Sequence, residues 1–148
     1  MAIIDWYSRY ILEWSISTTL EADFCIEAVS NALQHNRPGI FNVDQGVQFT
    51  CHDFVDQLLN AGVKVSMDGK DRALDNVYIE RFWRSIKYES IFMRCITSVD
   101  DMVTEVGNYM QYYNFERPHQ SLNYQTPAQV YEKQGSVIVP KNTIIKTG

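Results

Sequence analysis

Two carboxylates, Asp44 and Glu80, occupy positions suited to chemistry. Asp44 follows Phe41-Asn42-Val43, which reads as a short buried strand, and precedes Gln45-Gly46. A carboxylate at the carboxyl edge of a sheet faces the space where open α/β folds bind ligands. The same aspartate also suits a simple turn before Gly46. Glu80 lies in Asp75-Asn76-Val77-Tyr78-Ile79-Glu80-Arg81-Phe82-Trp83-Arg84-Ser85-Ile86-Lys87, where the apolar spacing predicts a helix. Asn76, Arg84 and Lys87 stand at −4, +4 and +7 from Glu80, so all four share one helix face. The plainer alternative is an exposed Glu80–Arg84 pair worth about 0.3 kcal/mol. Taken singly, neither carboxylate marks a site.

Together they say more. Thirty-five residues separate Asp44 from Glu80, and three long words follow in order. These are Asp44-Gln45-Gly46-x-Gln48-Phe49, the Asp75 to Glu89 run, and Tyr112-Tyr113-Asn114-Phe115-Glu116-Arg117-Pro118-His119-Gln120-Ser121-Leu122 with Thr126-Pro127 beyond it. In these words the chain resembles the integrase-core transposases of bacterial insertion sequences, from about Ala2 to Glu132. The resemblance implies a ribonuclease H-like domain, an α/β fold with a mixed sheet flanked by helices. In that family two aspartates and a glutamate hold two divalent metals, magnesium or manganese. Hard oxygen ligands suit magnesium, and a metal pair serves in-line displacement at phosphorus. By position Asp44 is the second aspartate and Glu80 the glutamate. The implied function is DNA cleavage and strand transfer in transposition, with transposon ends and target DNA as partners. Gln45, Gly46, Gln48, Asn76, Arg84 and Lys87 are the expected DNA contacts, the two cations meeting phosphates without reading sequence.

The family's first aspartate, in a Trp-x-x-Asp-Ile-Thr-like word, is not found in the chain. Asp5 is the nearby candidate, but Ile3-Ile4-Asp5-Trp6-Tyr7-Ser8-Arg9 matches the family's next hairpin, where that residue is a turn aspartate. The expectation is a chain lacking the first, central strand of the sheet and inactive in that form, with flanking strands left unpaired. One alternative is a non-catalytic DNA-binding or assembly fragment acting on a full-length transposase, in a homo-oligomer or a mixed one. A metal-dependent nuclease acting on RNA–DNA hybrids is another, disfavoured by the Tyr-Asn to Arg-Pro-His word.

Several elements must position these residues. Residues 2–4 and 10–16 suggest a hairpin. Phe24, Ala28, Val29, Ala32 and Leu33 mark a helix, and Ile40 to Val43 a strand. Phe54 to Leu59 reads as a short helix closed by Gly62, followed by a strand from Val63 to Met67. Asp68 to Asp75 reads as a loop. Beyond it come the Glu80 helix, a helix capped by Ser98 or Asp100, and a short one opened by Thr126-Pro127. Residues 1–133 form the expected domain and 134–148 a tail. The final helices and the Tyr113 to Leu122 word are expected to pack against the core, with His119 securing a loop or touching phosphate.

Composition sets the outer bounds. The 148 residues fit one domain, and no apolar run approaches the roughly 20 residues of a membrane span. The expectation is a cytoplasmic protein with no membrane partner. Cys25, Cys51 and Cys95 have neither zinc spacing nor an even count, which suggests reduced thiols. A net charge of −5 argues against a generally basic nucleic-acid coat, yet Lys64 to Arg94 carries seven basic and five acidic residues.

Overall fold

The computed structural model describes residues 1–19, 21–35, 37–44, 46–67, 77–135 and 144–147. Strand β1 (Ala2–Asp5) and strand β2 (Ile11–Trp14) form the expected antiparallel hairpin. Helix α1 (Asp23–His35) leads to β3 (Ile40–Val43), and the short α2 (Val47–Thr50) and α3 (His52–Asn60) lead to β4 (Lys64–Met67). Gly62 ends α3 with φ of 76°, a left-handed conformation that favours glycine. Helices α4 (Val77–Glu89), α5 (Val99–Gln111) and α6 (Pro127–Gly135) follow, and β5 (Ile144–Thr147) closes the described chain.

Caps at two of these helices follow from local chemistry. Ser98 Oγ accepts from the Asp101 amide at 3.0 Å, satisfying one of the free donors that begin α5. At α6, Thr126 Oγ1 accepts from the Gln129 amide at 3.3 Å while Gln129 Oε1 accepts from the Thr126 amide at 3.0 Å. That reciprocal pair forms a capping box.

The sheet order is β2-β1-β5-β3-β4, with β3 and β4 parallel. The expectation of unpaired flanking strands is corrected here. Strand β5, from the segment expected to be a tail, runs between β1 and β3, antiparallel to the first and parallel to the second. Two neighbouring strands with free ladder groups offer strong hydrogen-bonding partners, and three of the four residues of Ile144-Ile145-Lys146-Thr147 are β-branched. No carboxylate occurs in that segment, so the central strand brings none to the sheet.

Both faces of the sheet are covered. Ile3 packs with α1 and α3 in a cluster containing Val29, Phe41, Phe54 and Leu58. Ala2 and Ile4 point the other way, into a cluster with Ile79, Phe82 and Ile86 of α4 and with Val106, Tyr109 and Met110 of α5. The alternation along β1 is the two-residue period of a strand buried on both sides. No helix among the described residues is long and apolar enough to cross a membrane. The three cysteines are free.

Candidate functional site

Asp44 stands half-buried just past the end of β3. Its Oδ1 accepts the Gly46 amide at 2.7 Å. A Cβ at residue 46 would lie 2.8 Å from that oxygen and 3.1 Å from the Phe49 ring, so a larger residue there would displace the Asp44 carboxylate. Gly46 begins α2, Phe49 anchors it in the core, and Gln48 is half-buried on it. Gln45 and Asn76 lie outside the described residues, as does the loop expected at 68–75.

Glu80 lies exposed in the first turn of α4, with Arg84 and Lys87 exposed on the same flank. Burial of Ile79, Phe82 and Ile86 fixes the helix rotation, so this flank faces outward. Among the described residues the salt bridges are Arg94–Glu105 and Arg117–Glu89. A Glu80–Arg84 ion pair is not formed. The Arg84 guanidinium instead lies 5.8 Å from the Tyr88 ring centroid.

Asp5 is placed elsewhere. It is level with Ile145 and through it with Phe41, whereas Asp44 follows Val43, which is level with Thr147. That is a separation of about 10 Å along the strands and about 10 Å across two of them. The Asp5 carboxylate is buried, and its Oδ2 accepts the amide and hydroxyl of Ser8, closing the hairpin turn. Among the described residues no group of three or more His, Cys, Asp or Glu side chains is placed to hold a metal. The described residues therefore do not by themselves make a two-metal site.

The carboxyl-terminal word is built differently. Asn114 is buried, and its side chain accepts the Ile11 amide at 2.9 Å and donates to the Ile11 carbonyl at 3.0 Å, a bridge across 103 positions. Arg117 grips Glu89 of α4 with two bonds of 2.7 and 2.6 Å, and Tyr109 donates to the same carboxylate at 2.8 Å. The Arg117 bonds hold the Glu89 carboxyl below its ordinary range, outweighing the opposing effect of burial. His119 stands edge-on to Tyr113 at 4.7 Å, and burial pushes its pKa down to about 4, with the Arg117 charge acting in the same direction. Its backbone carbonyl accepts from the amides of Leu122 and Tyr124, shaping the loop before α6.

Two models described as Integrase core domain match residues 1–73 and 61–127. The chain belongs to the integrase core family. Its relatives include the transposase for insertion sequence element IS904 of Lactococcus lactis, 31% identical over 137 residues that cover 90% of this chain and 54% of that protein. Transposase InsF for insertion sequence IS3A of Escherichia coli is 32% identical over 135 residues, 88% of this chain and 47% of that protein. The chain spans about half the length of these relatives. Among solved structures, the catalytic core domain of BIV integrase superposes with a TM-score of 0.67 at 14% identity, over 91% of this chain and 86% of the other. The HTLV-2 integrase catalytic core domain in complex with magnesium gives 0.62 at 17% identity, over 86% and 81%. These likenesses establish the ribonuclease H-like fold.

Sequence reasoning missed one group of this integrase-core chain. Arg9, Tyr78, Arg81 and Ser85 meet His119 and Ser121 around a cavity of about 270 Å³. The signal available was the i, i+3, i+7 spacing of Tyr78, Arg81 and Ser85, the flank of α4 opposite Glu80.

Proposed function

We propose that this chain is the strand-handling part of a DNA transposase, in which α4 presents Glu80, Arg84 and Lys87 to the phosphates of a transposon end. The observation that carries the proposal is the exposed flank of α4, where two cations stand one and two turns from a carboxylate. None of the three belongs to an ion pair among the described residues. A surface pair would have used these charges on each other. Left apart, Arg84 and Lys87 attract a phosphate chain in a protein whose net charge is −5. Gln45, Gly46, Gln48 and Asn76 would complete the contact, with transposon ends and target DNA as partners in a homo-oligomer or a mixed one.

Asp44 and Glu80 would supply two carboxylates to the magnesium or manganese pair of the family. Because the Trp-x-x-Asp-Ile-Thr-like word of the first aspartate is not found in the sequence, the chain by itself is proposed to bind DNA without metal-dependent cleavage or joining. The same observation favours the second reading, a non-catalytic fragment that enters assemblies of a full-length transposase. Incubation with a labelled transposon end and magnesium tests the first part. Retention of the end without cleavage or joining is expected, whereas joining that Asp5→Asn abolishes would refute the assignment of ligands.

A further inference from the structure

We propose that the cavity between the β1–β2 turn, α4 and the His119 loop is a binding site for one nucleoside monophosphate unit, either free or at the end of a DNA strand. The cavity, about 270 Å³, is lined by Arg9, Tyr78, Arg81, Ser85, His119 and Ser121, among others. It lies at the low end of small-molecule sites, too small for a duplex and suited to a single nucleotide.

Three features specify this ligand. The first is unbalanced positive charge. Arg9 and Arg81 form no ion pair among the described residues, and Arg9 is held with its guanidinium 3.4 Å above the Tyr78 ring. Arg9 reaches this place from a left-handed backbone, φ 66°, which a non-glycine residue seldom adopts. Arg117 is different, because Glu89 already neutralises it.

The second feature is a buried acceptor. His119 is 9% exposed and its Nε2 has no hydrogen-bond partner among the described residues. The ring also bonds to the Tyr113 backbone, and burial keeps the imidazole neutral. A neutral imidazole that donates through one nitrogen presents the other as an acceptor. Leaving it unpaired is costly, so the site calls for a donor from its occupant. Phosphate alone answers the arginines, and it can donate to this nitrogen only through a P–OH group, at the expense of the charge the arginines hold. A sugar hydroxyl or a base amino group attached to the phosphate answers both, with the hydroxyls of Ser85 and Ser121 at hand for the remaining polar edges.

The third feature is a helix face other than the Glu80 one. Successive α-helical residues turn by about 100°, which puts Tyr78, Arg81 and Ser85 on one side of buried Ile79, Phe82 and Ile86, and Glu80, Arg84 and Lys87 on the other. The core stripe divides the two flanks on the buried side only; on the solvent side they adjoin, Arg81 and Arg84 standing three residues apart. The free-nucleotide form of the proposal stands without the transposase reading, and the DNA-end form rests on it.

Calorimetry on the full chain tests the site with 2′-deoxyadenosine 5′-monophosphate, deoxyadenosine, inorganic phosphate, and a 5′-phosphorylated single-stranded oligonucleotide. The nucleotide should bind at least roughly tenfold more tightly than phosphate or nucleoside alone. Arg81→Gln and His119→Phe should each weaken it by about tenfold or more, and His119→Gln, which keeps an acceptor, should restore most of the loss. Circular dichroism melts confirm that each variant is folded. Competition between nucleotide and oligonucleotide assigns the site to a strand end, and independent binding assigns it to the free nucleotide. Nucleotide binding is measured apart from duplex binding, so a chain that binds the nucleotide but no duplex fails the DNA reading and not this one. Equal binding of nucleotide and phosphate, no nucleotide binding by the folded chain, or affinity unchanged by Arg81→Gln would overturn the proposal.

Discussion

Asp44 and Glu80 are held by little, whereas Asn114, Arg117 and His119 are held by a great deal. Among the described residues Asp44 has one local bond, to Gly46, and Glu80 lies in solvent on its helix. Asn114 bridges to Ile11, Arg117 clamps α4 through Glu89, and His119 packs on Tyr113 and organises the loop before α6. Both regions carry words of the family, yet they serve different ends. On the proposed reading the two carboxylates would meet an external cation, and many internal partners would compete with it. A polar residue meant for architecture must have its bonds satisfied inside the protein.

The sharpest test of that contrast is substitution. Asn114→Ala removes both bonds to Ile11 and strands a buried amide and carbonyl, so it should destabilise the chain by about 3 kcal/mol in urea denaturation. Asp44→Asn and Glu80→Gln should change stability by no more than about 0.5 kcal/mol. A large cost at Glu80 with none at Asn114 would reverse the comparison.

Acid provides the next test. A histidine with its folded pKa pushed down to about 4, below its ordinary 6.5, takes up its proton more readily when unfolded. Its effect on stability is absent above pH 6.5, grows as pH falls towards 4, and levels off below. The expected loss is on the order of 2 kcal/mol, and His119→Gln should flatten that part of the profile. Glu89, held below the ordinary carboxylate range chiefly by Arg117, contributes stability above its unfolded pKa that is lost as pH falls through the folded one. Its loss therefore comes mainly at the acidic end of the window.

A smaller effect is expected at the clamp itself. Arg117→Lys keeps the charge but gives up the two-bond fork on a partly exposed carboxylate, so about 1 kcal/mol should be lost. Urea midpoints matching those of the unsubstituted chain would show that the fork adds nothing beyond charge.

Helices α1 and α3 to α6 and the four strands from Ala2 to Met67 were legible because their apolar spacing is strong and their ends are marked, by Ser98, Thr126-Pro127 and Gly62; α2, four residues long, was not. The shared flank of Glu80, Arg84 and Lys87 followed from the same periodicity. Strand β5 was not legible, because four residues carry too little pattern and their place depends on the edges of β1 and β3 far away in sequence. The π-helical turn at Tyr112–Glu116 escaped for a similar reason, since it arises where Asn114 reaches across to β2. The cavity beside His119 was hidden because Arg9, Arg81 and Arg117 line it from three distant parts of the chain that only the fold brings together.

The salt dependence of DNA binding tests the central claim most directly. Affinity of the full chain for a transposon-end duplex, measured across a range of potassium chloride concentrations, should give a linear dependence of log affinity on log salt. Arg84→Ala with Lys87→Ala should reduce the magnitude of that slope by about 2, with the loss similar for unrelated duplex sequences. A slope unchanged by the double substitution, in a chain that still binds DNA, would contradict the account.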